Sequence, residues 1–280
     1  MKIERKPEWL QKRINPGGQI PMLRLLEELN LNTVCRQALC PNISECFARN
    51  QATFLILGKN CTRHCSFCNV DSCEPEEVDQ EEPQRVAQAV ARLGLSHVVI
   101  TSPTRDDLDD GGASLFAQTV RAIRAVTPST RIELLIPDFL GDIPSLDRVI
   151  ASAPDILAHN LETVPRLYHI RAGADYNRSL ELLRHCGETA PAIRLKSGIM
   201  LGLGEKEQEI LELFRDLREV GCVYLSIGQY LAPSKRHHPV REYIHPDRFE
   251  YLREQALQMG FVHLESGPYV RSSYHAGSYS

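Results

Sequence analysis

Long apolar runs are absent from this chain. No stretch approaches the ~18 consecutive apolar residues that a membrane helix requires, so neither a membrane-spanning protein nor a membrane partner is expected. An excess of positive charge is missing too: 32 Lys and Arg stand against 36 Asp and Glu, giving a formal charge of -4 and a pI near 6.2. The cations are scattered rather than striped, so there is no electrostatic footprint for nucleic acid. The start, MKIERKPEWLQKR, lacks an apolar signal-peptide core, and 280 residues are long enough to fold without disulfide staples. A reducing compartment is expected, with the cytoplasm as the location.

What the chain does have is nine cysteines, six of them in two triplets. Cys35, Cys40 and Cys46 form C-x4-C-x5-C, and Cys61, Cys65 and Cys68 form C-x3-C-x2-C. Three soft thiolates in one short loop suit an iron-sulfur cluster, which normally takes four cysteines. One ligand position per cluster is left over, and an iron without a protein thiolate can bind a substrate, a cofactor or an unusual ligand. Zinc is the competing reading, but structural zinc sites use paired C-x2-4-C elements. His64, beside Cys65, would naturally point away from the loop. Cys186 and Cys222 read as packing residues and Cys73 as a loop thiol.

With 42% hydrophobic residues the chain can bury one principal core. Apolar β-rich runs at 53–57, 97–101, 131–136, 155–159, 192–200, 222–227 and 262–265 alternate with amphipathic helical patterns at 83–93, 114–126, 207–220 and 246–259. That alternation predicts a parallel α/β sheet, open or curved into a barrel. The near-continuous apolar strands VVIT and LLIP suit a sheet covered on both faces. The second triplet follows the strand TFLILG, on the C-terminal rim where barrel active sites lie. TSPTRDDLDDGG, PDF, HNLE and GQY end other strands on that rim, and their repetition favours a common pocket over isolated helix caps.

The segment CTRHCSFC, with Phe67 before its third cysteine, resembles the signature of the radical S-adenosylmethionine enzymes. Within that superfamily, the first triplet placed before the signature and the C-terminal Arg271-Ser272-Ser273-Tyr274 are similar to the lipoyl synthase family. ATFLILG, HNLETVPRLY, GADYNRSL, KSGIMLGLGE and GQYLAPS resemble it too, and the likeness runs from Pro21 to Gly277. It implies a partial (β/α)6 TIM-like barrel of the radical type over residues 51–265. An N-terminal extension, 1–50, would carry the auxiliary-cluster cysteines, and a C-terminal tail, 266–280, would close over that cluster.

The resemblance also implies a reaction. Cys61, Cys65 and Cys68 would hold a 4Fe-4S cluster whose open iron is chelated by the amino and carboxylate groups of S-adenosylmethionine, and reduction would release a 5'-deoxyadenosyl radical. Cys35, Cys40 and Cys46 would hold an auxiliary 4Fe-4S cluster that gives up sulfur to C6 and C8 of a protein-bound octanoyl-lysine. Its fourth ligand is assigned to Ser273, with Ser272 the alternative, because a hard alkoxide binds iron less durably than thiolate. Asn160 and Glu162 are expected at the cofactor ribose, Lys196 at a carboxylate, and Gly202 and Gly204 where backbone approaches the cofactor. Asp109-Asp110-Gly111-Gly112 stands where the superfamily often has a Gly-Gly-Glu segment, leaving open which group meets the methionyl amine. The implied partners are an octanoylated carrier domain (of 2-oxoacid dehydrogenase E2 subunits or glycine cleavage H protein), an electron donor such as flavodoxin or ferredoxin, and an iron-sulfur carrier that rebuilds the cluster. The alternatives are sulfur insertion into another alkyl substrate and a two-cluster electron-transfer protein. His237 and His238, in SKRHHPVREY, are expected in a solvated loop or against an acidic carrier surface.

Overall fold

The computed structural model describes residues 6–12 and 19–278; the remaining positions of the expected extension and tail lie outside them. Eight strands form one sheet in chain order. They are β1 (Asn32–Thr33), β2 (Thr53–Leu55), β3 (His97–Thr101), β4 (Arg131–Leu135), β5 (Ile156–Ala158), β6 (Arg194–Leu201), β7 (Tyr224–Gln229) and β8 (His263–Gly267). β2 to β8 pair in parallel, and β1 adds to the β2 edge antiparallel. The α/β architecture is therefore the expected one: β2 to β7 make the partial barrel, and β1 and β8 extend its two edges.

Helices α1 (Ile20–Glu28), α2 (Val34–Gln37) and α3 (Ile43–Ala48) precede β2. The crossovers are α4 (Glu82–Leu93), α5 (Ala113–Val126), α6 (Ile143–Ile150), α7 (Tyr176–Thr189), α8 (Glu207–Glu219) and α9 (Pro246–Gln258). The four helices read from apolar spacing lie within a residue of their expected bounds, because Val86, Ala89 and Val90 of α4 and Leu115, Val120 and Ile123 of α5 do face the core. Each such buried aliphatic side chain contributes roughly 1.5–3 kcal/mol. Consecutive residues Ile132, Glu133 and Leu134 of β4 are all fully buried, so both faces of the sheet are covered, as a parallel sheet requires. Trp9 of the N-terminal segment rests edge-on against His245, ring centres 4.9 Å apart.

β4 and β6 are not neighbours, so side chains linking them meet across the concave face. Lys196 of β6 donates to Glu133 at 2.8 Å there, both fully buried, and His97 of β3 stands 3.3 Å from the other carboxylate oxygen. The lysine and the carboxylate neutralise each other where neither would be tolerated alone.

Glu82, buried at the start of α4, accepts a hydrogen bond from the Leu57 amide at 2.7 Å. Burial pushes its carboxyl up to about 7. The folded chain thus keeps a proton that the unfolded chain has already lost, so stability falls as pH rises from the ordinary carboxylate range through 7. Glu82→Gln removes this dependence. Its stability relative to the parent should improve from pH 5 to pH 8 by up to about 3 kcal/mol; thermal melts showing a pH-independent difference would contradict this account.

Candidate active site

β2 leads straight into the second triplet. Leu57 and Gly58 both take positive φ, 68° and 82°, and turn the chain across the rim. The φ of Gly58 favours glycine, and a Cβ there would lie 2.5 Å from Glu76 Oε2, so a side chain would displace that carboxylate. The loop is then pinned to three other rim segments: Cys61 N donates to Asp71 O, Thr62 N to Thr104 O and Ser66 N to Ile170 O. Three amides point at the sulfurs themselves, from Thr104 (3.3 Å) and Arg63 (3.4 Å) to Cys61 Sγ and from Val70 (3.5 Å) to Cys68 Sγ. Such donors stabilise thiolate and are among the contacts that tune cluster potentials. Burial raises the Cys65 thiol and pushes Cys68 up to about 12, so iron must displace protons on binding. His64 is exposed, as expected.

Arg63, between the first two cysteines, is a site residue that the sequence did not reveal. Its guanidinium is buried and donates to both oxygens of Asp106 (2.7 and 2.9 Å) and to Asp138 (2.7 Å). Arg178 also donates to Asp138. Burial would raise the Asp138 carboxyl, but these arginines hold it well below the usual range. The arrangement clamps the triplet loop to the ends of β3 and β4. Arg63→Met should cost on the order of 3 kcal/mol by opening a buried pair, and iron should be lost from this loop before the other; an unchanged melting temperature and iron content would show the clamp to be dispensable.

The first triplet lies at the other end of the strands. Cys35 on α2, Cys40 in the following turn and Cys46 on α3 line a cavity of about 240 Å³ together with Thr53, Arg271 and Ser273. Thr53 donates to Ser273 Oγ at 2.6 Å and also reaches Cys35. Burial pushes Cys35 up to about 11 and Cys46 up to about 12. Among the described residues no three His, Cys, Asp or Glu side chains gather closely enough to hold one metal ion, as zinc would need. Thiolates serving different irons of one cluster have to stand apart. The donor set, three thiols and one hydroxyl, therefore suits a cluster with one hard ligand.

The tail closes this cavity from outside. Tyr274 donates to Glu45 Oε1 at 3.1 Å, Lys12 to Asn42 (2.6 Å) and Glu45 (2.8 Å), and Asn42 to Tyr269 O (2.6 Å). Extension and tail are thus stapled to each other. Ser272 turns the opposite way from Ser273 and donates to Asn160 Oδ1 at 3.1 Å.

Asn160 and Glu162, just past β5, come together: Asn160 Nδ2 donates to Glu162 Oε1 at 3.0 Å. Glu162 takes φ 64°, and its carboxylate is near enough to Cys65 and Cys68 to disfavour their thiolates by repulsion. Lys196 is not with them; it lies toward the N-terminal end of β6, paired with Glu133. Gly202 and Gly204 form the turn after β6, where the Glu205 carboxylate accepts from the amides of Gly202, Leu203 and Gly204. A Cβ on Gly202 would meet Gln229 Nε2 and Glu242 O at 2.4 Å, so the close approach there is to the chain's own backbone and amide. In the DDGG stretch, Asp110 caps α5 through the amides of Gly112 and Ser114. His237 and His238 are half-buried rather than fully solvated: their Nε2 atoms lie 3.0 Å from Cys68 O and from Leu203 O, which holds that loop against the second triplet.

Residues 55–217 match the family model described as the Radical SAM superfamily. A lipoyl synthase of Geobacter metallireducens is 66% identical over 279 residues, covering 100% of this chain and 99% of that protein. One from Trichlorobacter lovleyi is 64% identical over 281 residues and covers both fully. The chain belongs to the lipoyl synthase family. Lipoyl synthases as divergent as that of Caldicellulosiruptor saccharolyticus, 52% identical over 272 residues, still span 96% of it. Among solved structures, Streptococcus suis SuiB bound to S-adenosylmethionine superposes with a TM-score of 0.61 at 16% identity, covering 88% of this chain and 59% of that one. Methylornithine synthase gives 0.56 at 16% identity, covering 74% and 61%. These two show the fold alone. As a lipoyl synthase family member the chain is a radical enzyme that uses S-adenosylmethionine and 4Fe-4S clusters.

Proposed function

We propose that the chain inserts sulfur at C6 and C8 of an octanoyl chain in amide linkage to a lysine of a carrier domain, forming the lipoyl group. The observation that carries this reading is the cavity in which Ser273 joins Cys35, Cys40 and Cys46, on the same barrel that presents Cys61, Cys65 and Cys68 at its rim. Cys61, Cys65 and Cys68 would hold the cluster that binds S-adenosylmethionine; Cys35, Cys40, Cys46 and Ser273 would hold the auxiliary one. When bound, these groups supply a carbon radical able to take an unactivated methylene hydrogen, and the sulfide for the new bonds.

The chain's own residues do the rest. Ser273, rather than Ser272, is supported as the hard ligand by its place in the cavity, and the Thr53 hydroxyl stabilises negative charge on its oxygen. A harder donor releases iron more readily than a fourth cysteine would, which suits a cluster that is consumed and disfavours a pure electron carrier. Asn160 and Glu162 together offer an amide donor and a carboxylate acceptor for the cofactor's ribose hydroxyls. Segments 1–50, 51–265 and 266–280 act as extension, barrel and closing tail. Carrier domain, electron donor and iron-sulfur carrier are the partners this chemistry needs, with the cytoplasm as the place. Among the described residues no helix is long and apolar enough to cross a membrane.

The test is anaerobic reaction of the reconstituted chain with an octanoyl-lysyl peptide, S-adenosylmethionine and a strong reductant, read by mass spectrometry. A peptide gaining two sulfurs, with 5'-deoxyadenosine formed, is expected. Deoxyadenosine without sulfur in the peptide would reject the substrate, and no cofactor cleavage would reject the reaction class.

A further inference from the structure

We infer that Ser272 is a positioning residue that couples seating of the C-terminal tail to binding of S-adenosylmethionine at Asn160 and Glu162. The inference rests on the reading above that those two residues meet the cofactor.

Ser272 and Ser273 lie in a turn in which Tyr274 N donates to Arg271 O, and each meets a different site. Ser273 lines the auxiliary cavity, hydrogen-bonded to Thr53. Ser272 donates to Asn160 Oδ1, and Asn160 Nδ2 in turn donates to Glu162, just past β5 on the rim that carries Cys65 and Cys68. Two covalently consecutive residues thus reach the auxiliary cavity on one side and the Asn160–Glu162 pair on the other. A carboxamide has two nearly equivalent orientations until its partners choose one. The Glu162 carboxylate draws the NH2 group toward itself, and Ser272 anchors the carbonyl oxygen left on the other side.

The surrounding space is shaped for the same arrangement. Opposite the carboxamide stands Gly198 of β6, where a Cβ would come within 2.8 Å of Asn160 Oδ1 and 2.6 Å of Ser226 Oγ. Gly228 of β7 lets the tail in: a Cβ there would lie 2.2 Å from Val270 O. The tail is therefore packed against the barrel immediately before the two serines.

If the seated tail favours the bound cofactor, the bound cofactor favours the seated tail by the same factor. One part-buried hydrogen bond sets that factor at about 3- to 10-fold. A tail no longer held at the auxiliary cavity would leave Asn160 without its Ser272 anchor, and cofactor affinity would be lower in that state.

The experiment uses the full chain with both clusters reconstituted and no reductant. Hydrogen exchange of the peptide covering residues 270–278 is followed with and without S-adenosylmethionine, and cofactor affinity is measured by equilibrium dialysis for the parent, Ser272→Ala, Ser272→Thr and Asn160→Ala. The cofactor should slow tail exchange in the parent. S272A should bind it 3- to 10-fold more weakly while keeping its full iron content, and S272T should restore binding. Exchange unaffected by the cofactor would overturn the coupling, and that measurement needs no variant to fold. Weak binding by N160A with parent-like binding by S272A would reject the coupling alone; parent-like binding by N160A would reject the cofactor site on which it rests.

Discussion

Cys65→Ala reduces 5'-deoxyadenosine formation to the background level and leaves about half the iron of the reconstituted parent, one cluster of two. The loop explains why the loss is complete and local. Cys65 is one of the three thiols of the rim triplet, so its removal leaves that triplet with two ligands for a cluster that needs three and an open iron. The Arg63 clamp and the contacts of Cys61 N, Thr62 N and Ser66 N do not depend on the Cys65 side chain. The barrel should therefore stay folded and the auxiliary signal intact. Iron analysis and chromatography of the cofactor products check this; retained cofactor cleavage would remove Cys65 from the site.

Cys40→Ala produces the complementary result. Cofactor cleavage persists, because the rim loop is untouched, while sulfur in the peptide product falls to background. Cys40 lies in the turn between α2 and α3, where its half-buried side chain packs at the edge of the core rather than inside it. Its Sγ shares the cavity with Arg271, whose guanidinium donates to the neighbouring Val270 carbonyl at 2.7 Å. Deoxyadenosine without a sulfur-bearing peptide, measured side by side with Cys65→Ala, separates the roles of the two triplets. Sulfur insertion by the Cys40 variant would contradict the assignment of the cavity.

Much of this was legible in the residue order, for reasons that differ by element. α4, α5, α8 and α9 carry apolar residues at helical spacing on one face, and that periodicity is local. α6 and α7 escaped, although Asp142 and Asp175 cap them by accepting from the amides of Ser145 and Arg178; an Asp before a helical run was the usable signal. β1 is two residues long and is defined only by its partner β2, so nothing in its own sequence could mark it. The second triplet could be placed on the rim because it follows a recognisable strand. The joining of Ser273 to the first triplet came from resemblance, since Thr53 and Ser273 are 220 residues apart. Arg63 and its carboxylates, 43 and 75 residues away, and Lys196 with Glu133, 63 away, are fixed by the curvature of the sheet, which no local pattern encodes. The histidines at 237 and 238 read as solvated because their acceptors are main-chain carbonyls, which leave no trace in composition.

The central claim is that the cavity closed by the tail holds sulfur destined for the product. It is tested most directly by reconstituting the chain with isotopically heavy sulfide and running a single turnover with the octanoyl-lysyl peptide in the presence of ordinary sulfur sources. The account predicts that both sulfur atoms of the product are heavy and that the auxiliary cluster's spectroscopic signal is lost while that of the Cys61, Cys65 and Cys68 cluster remains. Product carrying light sulfur, with the auxiliary signal undiminished, would contradict it.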